Sequence, residues 1–488
     1  MITRELMAPL MFGGLIVFML VGYPVAFSLA AVGLFFGVIG IEMGLFQVSL
    51  LQALPERVFG ILSNDLLLSI PFFTFMGAVL ERCGLAEDLL EGTGQLFGPV
   101  RGGLAYAVIL VGALLGAITG TVAASVIAMG LISLPVMMRY GYNMRIATGV
   151  IAASGTITQL IPPSLVLIVL ADQLGQSVGD MYAGAIGPSI VQVLLFCLFI
   201  FLVSIFKPEY LPALPREART LQGWPLIRRV LWSMAPSLVL IFLVLGTILM
   251  GVATPTEGGA MGAVGAIGLA AMYRRLTWDL LWQGMTSTMR INAMVIFILI
   301  GSTVFGLVFR GVDGDLWIEQ HLMSLPGGVT GFLIAVNLFV FFLAFFLDFF
   351  EIAFIVIPLL APVASKLGID LIWFGVLLGA NMQTSFMHPP FGFALFYLRG
   401  VAPREIRNSD IYWGAVPWVG MQLLLVAILI FFPGLVTGFA GKAVTGDPTR
   451  IEIQVEQSAP SVSPDSVSGR PQRDDQSAEI ERMLKEQE

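Results

Sequence analysis

Two short polar segments, each ending in a proline pair, hold the residue types able to do chemistry in an otherwise apolar chain. The first runs Ser154, Gly155, Thr156, Ile157, Thr158, Gln159, Leu160, Ile161, Pro162, Pro163, Ser164, and the second Asn381, Met382, Gln383, Thr384, Ser385, Phe386, Met387, His388, Pro389, Pro390. Proline has no backbone donor, and Pro163 pushes the residue before it away from helical geometry. A helix therefore cannot run smoothly through the first segment, and the carbonyls around Thr158 to Ile161 lose their usual partners. Unpaired carbonyls are expensive in hydrocarbon, so unwound backbone persists there only where it lines a cavity or binds an ion. Those oxygens, with the hydroxyls of Ser154, Thr156 and Thr158, suit a hard cation such as sodium. The second segment adds amides: Asn381, Gln383, Thr384 and Ser385 offer donors and acceptors fit for a polar solute as well as a cation. One such segment alone reads equally well as a kink that lets helices pack closely; two in one register favour binding.

Upstream of the first break lies a second candidate element, Gly116 to Ala123, whose small residues would let carbonyls and hydroxyls face the cation. In the second half, Asp348 sits in the apolar run FFLAFFLDFFEIAFIVIPLL with Glu351 one turn later, which places both carboxylates on one side of a helix. Carboxylates that deep are candidates for a cation ligand, a proton site or a partner of a buried polar cluster, the alternative being a cap on an interrupted helix. His388 could titrate during transport, but a lone histidine at such a break is expected to hydrogen-bond backbone.

The elements that must position these groups are membrane helices. Apolar residues make up 57% of the 488 and charged residues 12%, more apolar surface than a soluble fold can hide. At about 20 residues per crossing, the stretch from Leu6 to Phe439 predicts roughly a dozen membrane segments, beginning with a helical pair around Gly22 to Pro24 and not a cleaved leader. A repeat relates residues 227 positions apart: Gly84 and Gly311, Asp88 and Asp315, Pro135 and Pro362, Gly141 and Gly368, and the two proline pairs all match without a gap. The same register carries Thr119, Gly120 and Thr121 onto Phe346, Leu347 and Asp348. Residues 1–206 thus form a first membrane half and 230–441 a second. The basic linker 207–229 is placed on the cytoplasmic side by the positive-inside rule, and a polar tail, 442–488, is expected to be disordered. Amphipathic stretches near Leu85 to Leu96 and Asp315 to Leu325 are expected to lie along the membrane surface.

The fold class is therefore all-α and polytopic, two repeated halves with broken helices. Repeated halves in secondary transporters are commonly inserted in opposite orientations. Two cysteines and two scattered histidines give no disulfide framework or zinc spacing, no phosphate loop is present, and no basic cluster interleaves with aromatics, which argues against ATP hydrolysis by that route and against nucleic acid.

The stretch TPTE at Thr254 to Glu257 followed by GGAMGA, the TGT at Thr119 to Thr121, the IPPS at Ile161 to Ser164 and the basic-then-GY turn at Arg139 to Tyr142 resemble the large membrane subunit of tripartite ATP-independent periplasmic (TRAP) transporters, the DctM type, over about residues 5 to 440. LDFFEIAFIVIPLLAPVASKLGIDLIWFGV and PPFGFALFYLRGVAP resemble the branch labelled mannitol and chloroaromatic, whose members also handle 2-oxo acids and lactate. The resemblance implies an elevator in the bacterial inner membrane, with sodium ions as coupling ions and no organic cofactor. A first sodium site would use backbone oxygens of Gly116, Thr119, Thr158, Ile161 and Pro163, and a second its counterpart around Gln383 and Thr384. Thr121, Ser154, Gly155, Thr156, Asn381, Ser385, Asp348 and Glu351 remain candidates for the solute. The resemblance implies two partner chains, a periplasmic substrate-binding protein and a small four-helix membrane subunit. The sequence departs from the family at Thr158, often glycine, and at His388, often threonine.

The leading expectation is sodium-coupled uptake of a small organic acid within membrane lipid, its carboxylate held by half-helix N-termini because neither break contains lysine or arginine. A stand-alone symporter or antiporter needing no delivery protein has the same architecture. A membrane-embedded enzyme using Asp348 and Glu351 is a different class, but no nucleophile or metal-ligand spacing accompanies them.

Overall fold

The computed structural model describes residues 4–219 and 222–440, with the backbone alone at 4, 5 and 20; the polar tail lies outside the described residues. No strand occurs among the described residues. The N-terminal pair is Arg4–Leu20 and Val25–Glu42, turned at Gly22 (φ 90°), where only glycine adopts the angle without strain.

Six helices are long and apolar enough to cross a membrane by themselves, seven if the bent pair Phe349–Ile355 and Ile357–Lys366 counts as one span, and the rest of the expected membrane segments are shorter apolar helices. Five more apolar helices, among them Gly103–Thr119, Leu165–Leu174 and Gly328–Leu343, have 10–17 residues. At about 1.5 Å per residue, a ten-residue helix reaches only about halfway through a hydrocarbon core of about 30 Å. Leu165–Leu174 is such a half-length arm, whereas Gly103–Thr119 and Gly328–Leu343, of 17 and 16 residues, come close to the length of a crossing.

Helix boundaries recur at the 227-residue offset. Val122–Arg139 corresponds to the bent pair at 349–366, Met144–Thr156 to Leu371–Met382, Leu165–Leu174 to Phe393–Val401, and Val178–Phe206 to Asn408–Phe431. The local chemistry recurs with them. Gly141 (φ 76°) and Gly368 (φ 70°) make the same left-handed turn. Two residues later Asn143 and Asp370 each accept a backbone N–H, from Arg145 at 3.0 Å and Trp373 at 2.8 Å, and so start the helix that leads into each break.

The TPTE motif is also a helix start. Thr254 and Glu257 form a reciprocal capping box, Pro255 takes the first helical position where no N–H is needed, and Thr256 Oγ1 donates to Asp65 O at 2.8 Å. The glycines that follow let helix Pro255–Met272 press onto Ser69–Arg82: a Cβ at Gly262 would lie 2.5 Å from Met76 Sδ. This motif builds packing, far along the chain from either proline pair.

Between the halves, short 3-10 turns at Pro208–Tyr210 and Arg216–Ala218 precede a helix that begins at Trp224, inside the stretch expected to be linker. The amphipathic helix Leu85–Leu96 buries Leu85, Leu89 and Leu90, whereas its counterpart Gly314–Met323 buries only Gly314.

Candidate functional site

At the first break, helix Met144–Thr156 tightens into a 3-10 turn, Ile157–Gln159, and stops. The chain passes Pro162 and Pro163, joined by a cis peptide bond, and restarts as Leu165–Leu174. Ser164 spans the gap: its Oγ donates to Gln159 O at 2.5 Å and accepts from Val166 N at 3.2 Å. Among the described residues, no hydrogen bond ends on the carbonyls of Ile161, Pro162 or Pro163.

Helix Gly103–Thr119 leans on this break through glycines one turn apart. A Cβ at Gly112 would lie 2.6 Å from Ser154 Cβ, and one at Gly116 would lie 2.9 Å from Thr158 Cα. The helix ends at Gly120 (φ 61°), 3.9 Å from Pro163 O by the same measure. The end of this helix thus meets the break at two points, Gly116 against Thr158 and Gly120 beside Pro163 O, the approach that small residues permit. Thr119 is turned elsewhere: its carbonyl is tucked against Gly77, where a Cβ would lie 2.0 Å from it, and its hydroxyl donates to Leu115 O at 2.9 Å. Thr121 is extended and begins helix Val122–Arg139 without a side-chain cap.

The hydroxyls expected as further ligands are mostly committed to their own helix. Thr156 Oγ1 donates to Ala153 O at 2.8 Å and Thr158 Oγ1 to Gly155 O at 3.0 Å. Gly155 itself faces Val126, with room for no side chain. Ser154 Oγ alone of the three is buried without a partner.

The second break repeats the design. Leu371–Met382 tightens into the 3-10 turn Gln383–Phe386, passes the cis pair Pro389 and Pro390, and restarts at Phe393. No hydrogen bond among the described residues ends on the carbonyls of Pro389, Pro390 or Phe391. Thr384 Oγ1 donates to Asn381 O and Ser385 Oγ to Met382 O, as Thr158 does in the first half. Asn381, in register with Ser154, donates through Nδ2 to Asn337 O at 2.7 Å and to Asn337 Oδ1 at 3.0 Å, and its own Oδ1 is buried without a partner. His388 is packed between two rings, stacked on Phe345 at 4.0 Å and edge-on to Phe341 at 4.5 Å, so its neighbours are aromatic faces more than backbone.

The run around Asp348 is not one helix. Gly328–Leu343 ends, and Asp348 (φ −78°, ψ 176°) caps a new helix, Phe349–Ile355. Asp348 Oδ1 accepts from Glu351 N at 2.9 Å, and Glu351 Oε2 accepts from Asp348 N at 3.0 Å. Both carboxylates are thus engaged in a capping box at the start of an interrupted helix.

None of Ser154, Gly155, Thr156, Asn381 and Ser385 lines the cavity of about 340 Å³ that opens elsewhere, between helix Leu54–Leu62, the end of Leu165–Leu174, helix Trp278–Gly311 and the bent pair. Its polar wall is Arg57, Asn64, Asp172, Gln173, Ser302, Thr303 and Arg310. Asp172 is occupied, accepting from Asn64 Nδ2 at 2.7 Å and Gln173 Nε2 at 2.8 Å. Among the described residues neither arginine has a carboxylate partner. Arg57 and Arg310 are 253 residues apart in the sequence and close no motif, so only the fold reveals them as a pair. Two buried glutamines, Gln192 and Gln422, were equally silent in the sequence and reach the breaks from the long helices.

Comparison with known proteins agrees with this architecture. The chain is 30% identical over 393 residues, 80% of its own length and 90% of the relative's, to the C4-dicarboxylate TRAP transporter large permease protein DctM of Pseudomonas aeruginosa. It is 27% identical, over 84% of its length and 93% of the relative's, to the sialic acid TRAP transporter large permease protein SiaM of Vibrio cholerae. Among solved structures, the antimetabolite efflux pump MtrF of Neisseria gonorrhoeae superposes with a TM-score of 0.52 over 81% of this chain and 84% of that one, at 13% identity, a likeness of fold. Residues 12–435 match the family described as tripartite ATP-independent periplasmic transporter, DctM component. With a polytopic helical fold, two broken segments in register and a match over most of its length, the chain belongs to the DctM family, the large permease subunits of TRAP transporters.

Proposed function

We propose that this subunit couples sodium entry to uptake of a small organic acid across the bacterial inner membrane. The observation that carries the reading is the pair of breaks, in register in the two halves, whose proline carbonyls accept no hydrogen bond among the described residues: oxygens left free at an interrupted membrane helix suit a monovalent cation. At the first break the set is drawn from Gly116, Thr158, Ile161 and Pro163, and at the second from Gln383, Thr384 and the carbonyls around Pro389. The solute sits in the cavity walled by Arg57 and Arg310. Two guanidinium groups without carboxylate partners favour a carboxylate, and the hydroxyl of Thr303 suits a 2-oxo or 2-hydroxy substituent, that of Ser302 being donated to Phe354 O. This replaces the expectation that helix ends alone would hold the anion.

Movement follows an elevator scheme, in which the unit bearing both breaks slides past a fixed scaffold. A periplasmic binding protein delivers the solute, and a small four-helix membrane subunit stiffens the scaffold. The fused relative named isethionate TRAP transporter permease protein DctMQ, from Oleidesulfovibrio alaskensis, is consistent with a second membrane component.

The test is uptake of labelled 2-oxo acids, lactate and C4-dicarboxylates into proteoliposomes holding this chain with its small subunit, plus the binding protein outside. Uptake that needs an inward sodium gradient and the binding protein supports the reading. Equal uptake by the chain alone points to a stand-alone symporter, and sodium-independent uptake overturns the coupling.

A further inference from the structure

Thr156 and Gln383 occupy the same place in the two halves, 227 residues apart. Each lies fully buried at the last turn before its break, and each is held by a glutamine from a long helix. Gln192, on helix Val178–Phe206 of the first half, donates through Nε2 to Gln383 Oε1 in the second half at 2.7 Å. Gln422, on helix Asn408–Phe431 of the second half, donates through Nε2 to Thr156 Oγ1 in the first half at 3.0 Å. The bonds cross: each break is gripped by the opposite half. Both glutamines are fully buried, and both keep an Oε1 with no partner.

A helix needs no such amide for packing. A buried glutamine with half its polar atoms unsatisfied destabilises the fold relative to an apolar residue of equal size. Chance would scatter such residues; here two of them stand 230 residues apart and touch equivalent positions. The surrounding contacts are apolar: Phe196 and Phe199, one and two turns beyond Gln192, pack edge-on to Trp418, one turn before Gln422, at 4.9 and 5.0 Å. The two glutamine helices thus touch through aromatic rings beside both bonds, which gives a contiguous path of contacts from one break to the other.

We propose that Gln192 and Gln422 are positioning residues forming a crossed latch that couples the two cation sites, so that filling one break preorganises the other. The inference rests on the sodium-coupled reading above. Positive cooperativity in sodium activation is its consequence, since a shared conformational state rewards the second ion for what the first has already ordered.

The experiment uses the complete transporter in proteoliposomes, with sodium as the ligand and solute uptake as the readout, together with thermal unfolding of the purified protein. Gln192→Met and Gln422→Met preserve side-chain length and remove the bond. Each is expected to lower the sodium Hill coefficient toward one and to raise the half-saturating sodium concentration about fivefold or more, with the solute KM at saturating sodium unchanged. Gln192→Glu, which can accept from Gln383 Nε2 once that amide turns over, is expected to keep the wild-type slope. If Gln192→Met is not recovered folded, Gln192→Asn, one methylene too short to reach Gln383, takes its place with the same expectation. A variant that unfolds earlier but keeps the wild-type slope and half-saturation shows a merely structural bond and overturns the latch. Wild-type uptake that ignores sodium overturns both the latch and the reading beneath it, whereas sodium-driven uptake with a Hill coefficient of one overturns the latch alone.

Discussion

Replacing Gly116 by alanine puts the first cation site under a defined strain. The added Cβ would lie 2.9 Å from Thr158 Cα and 3.2 Å from Thr158 Cγ2. Restoring an ordinary contact requires the helix and the break to part by about 0.5 Å, whereas a metal–oxygen distance tolerates only about 0.2 Å. Overpacking of this kind costs about 1–3 kcal/mol, and each 1.4 kcal/mol is about tenfold in an equilibrium constant. The half-saturating sodium concentration for uptake is therefore expected to rise about five- to 150-fold. Because alanine is the better helix former, by about 1 kcal/mol, thermal stability should change little, which separates the site from the fold. Gly268→Ala is the control: nothing lies within 4 Å of its Cβ position, and sodium activation should stay at the wild-type value. The assay is initial uptake rate against external sodium at saturating solute. An unchanged half-saturation in Gly116→Ala, or an equal shift in Gly268→Ala, would refute the placement of a cation between this helix and the break.

Other expectations concern the solute and the caps. Arg310→Ala removes a charged donor from the cavity, an interaction of about 1.5–3 kcal/mol, so the KM for the organic acid should rise by tenfold or more with sodium dependence retained; Arg57→Ala should act in the same direction. Asn381→Leu leaves the buried Asn337 side-chain oxygen without the donor that Asn381 Nδ2 supplies, and it should abolish uptake while the protein still reaches the membrane, as immunodetection of membrane fractions would show. Asp348→Asn keeps a side-chain acceptor for Glu351 N and should retain uptake within a few-fold, whereas Asp348→Ala loses the cap, costing about 0.5–2 kcal/mol, and should lower the unfolding temperature. If Asp348→Asn abolished uptake in a protein of wild-type stability, the carboxylate would have a role beyond capping.

What could be read from residue order was whatever a local rule enforces. The proline pairs announce interrupted helix because proline lacks an N–H, and the repeat announces itself because the same glycines, acids and prolines recur at one spacing. Asn143 and Asp370, Gly141 and Gly368 fall into matched turns for the same reason. Which segments are full-length was not legible, because hydropathy measures apolar length and cannot distinguish a full crossing from a ten-residue arm such as Leu165–Leu174. The local bonds of the hydroxyls were not legible either: Thr156, Thr158, Thr384 and Ser385 look like ligands in the sequence, and in the structure each donates its proton to the carbonyl three residues back. Arg57 with Arg310, and Gln192 with Gln383, are pairs made by tertiary contact across 253 and 191 residues. No periodicity brings such residues together on paper.

The central claim, that free main-chain oxygens at the two breaks hold monovalent cations, is tested most directly by equilibrium binding of radioactive sodium to the purified subunit in lipid nanodiscs. The account predicts saturable binding, weakened in Gly116→Ala and unaffected in Gly268→Ala. A folded, monodisperse protein that binds no sodium saturably, or binds it equally well in both variants, would contradict it.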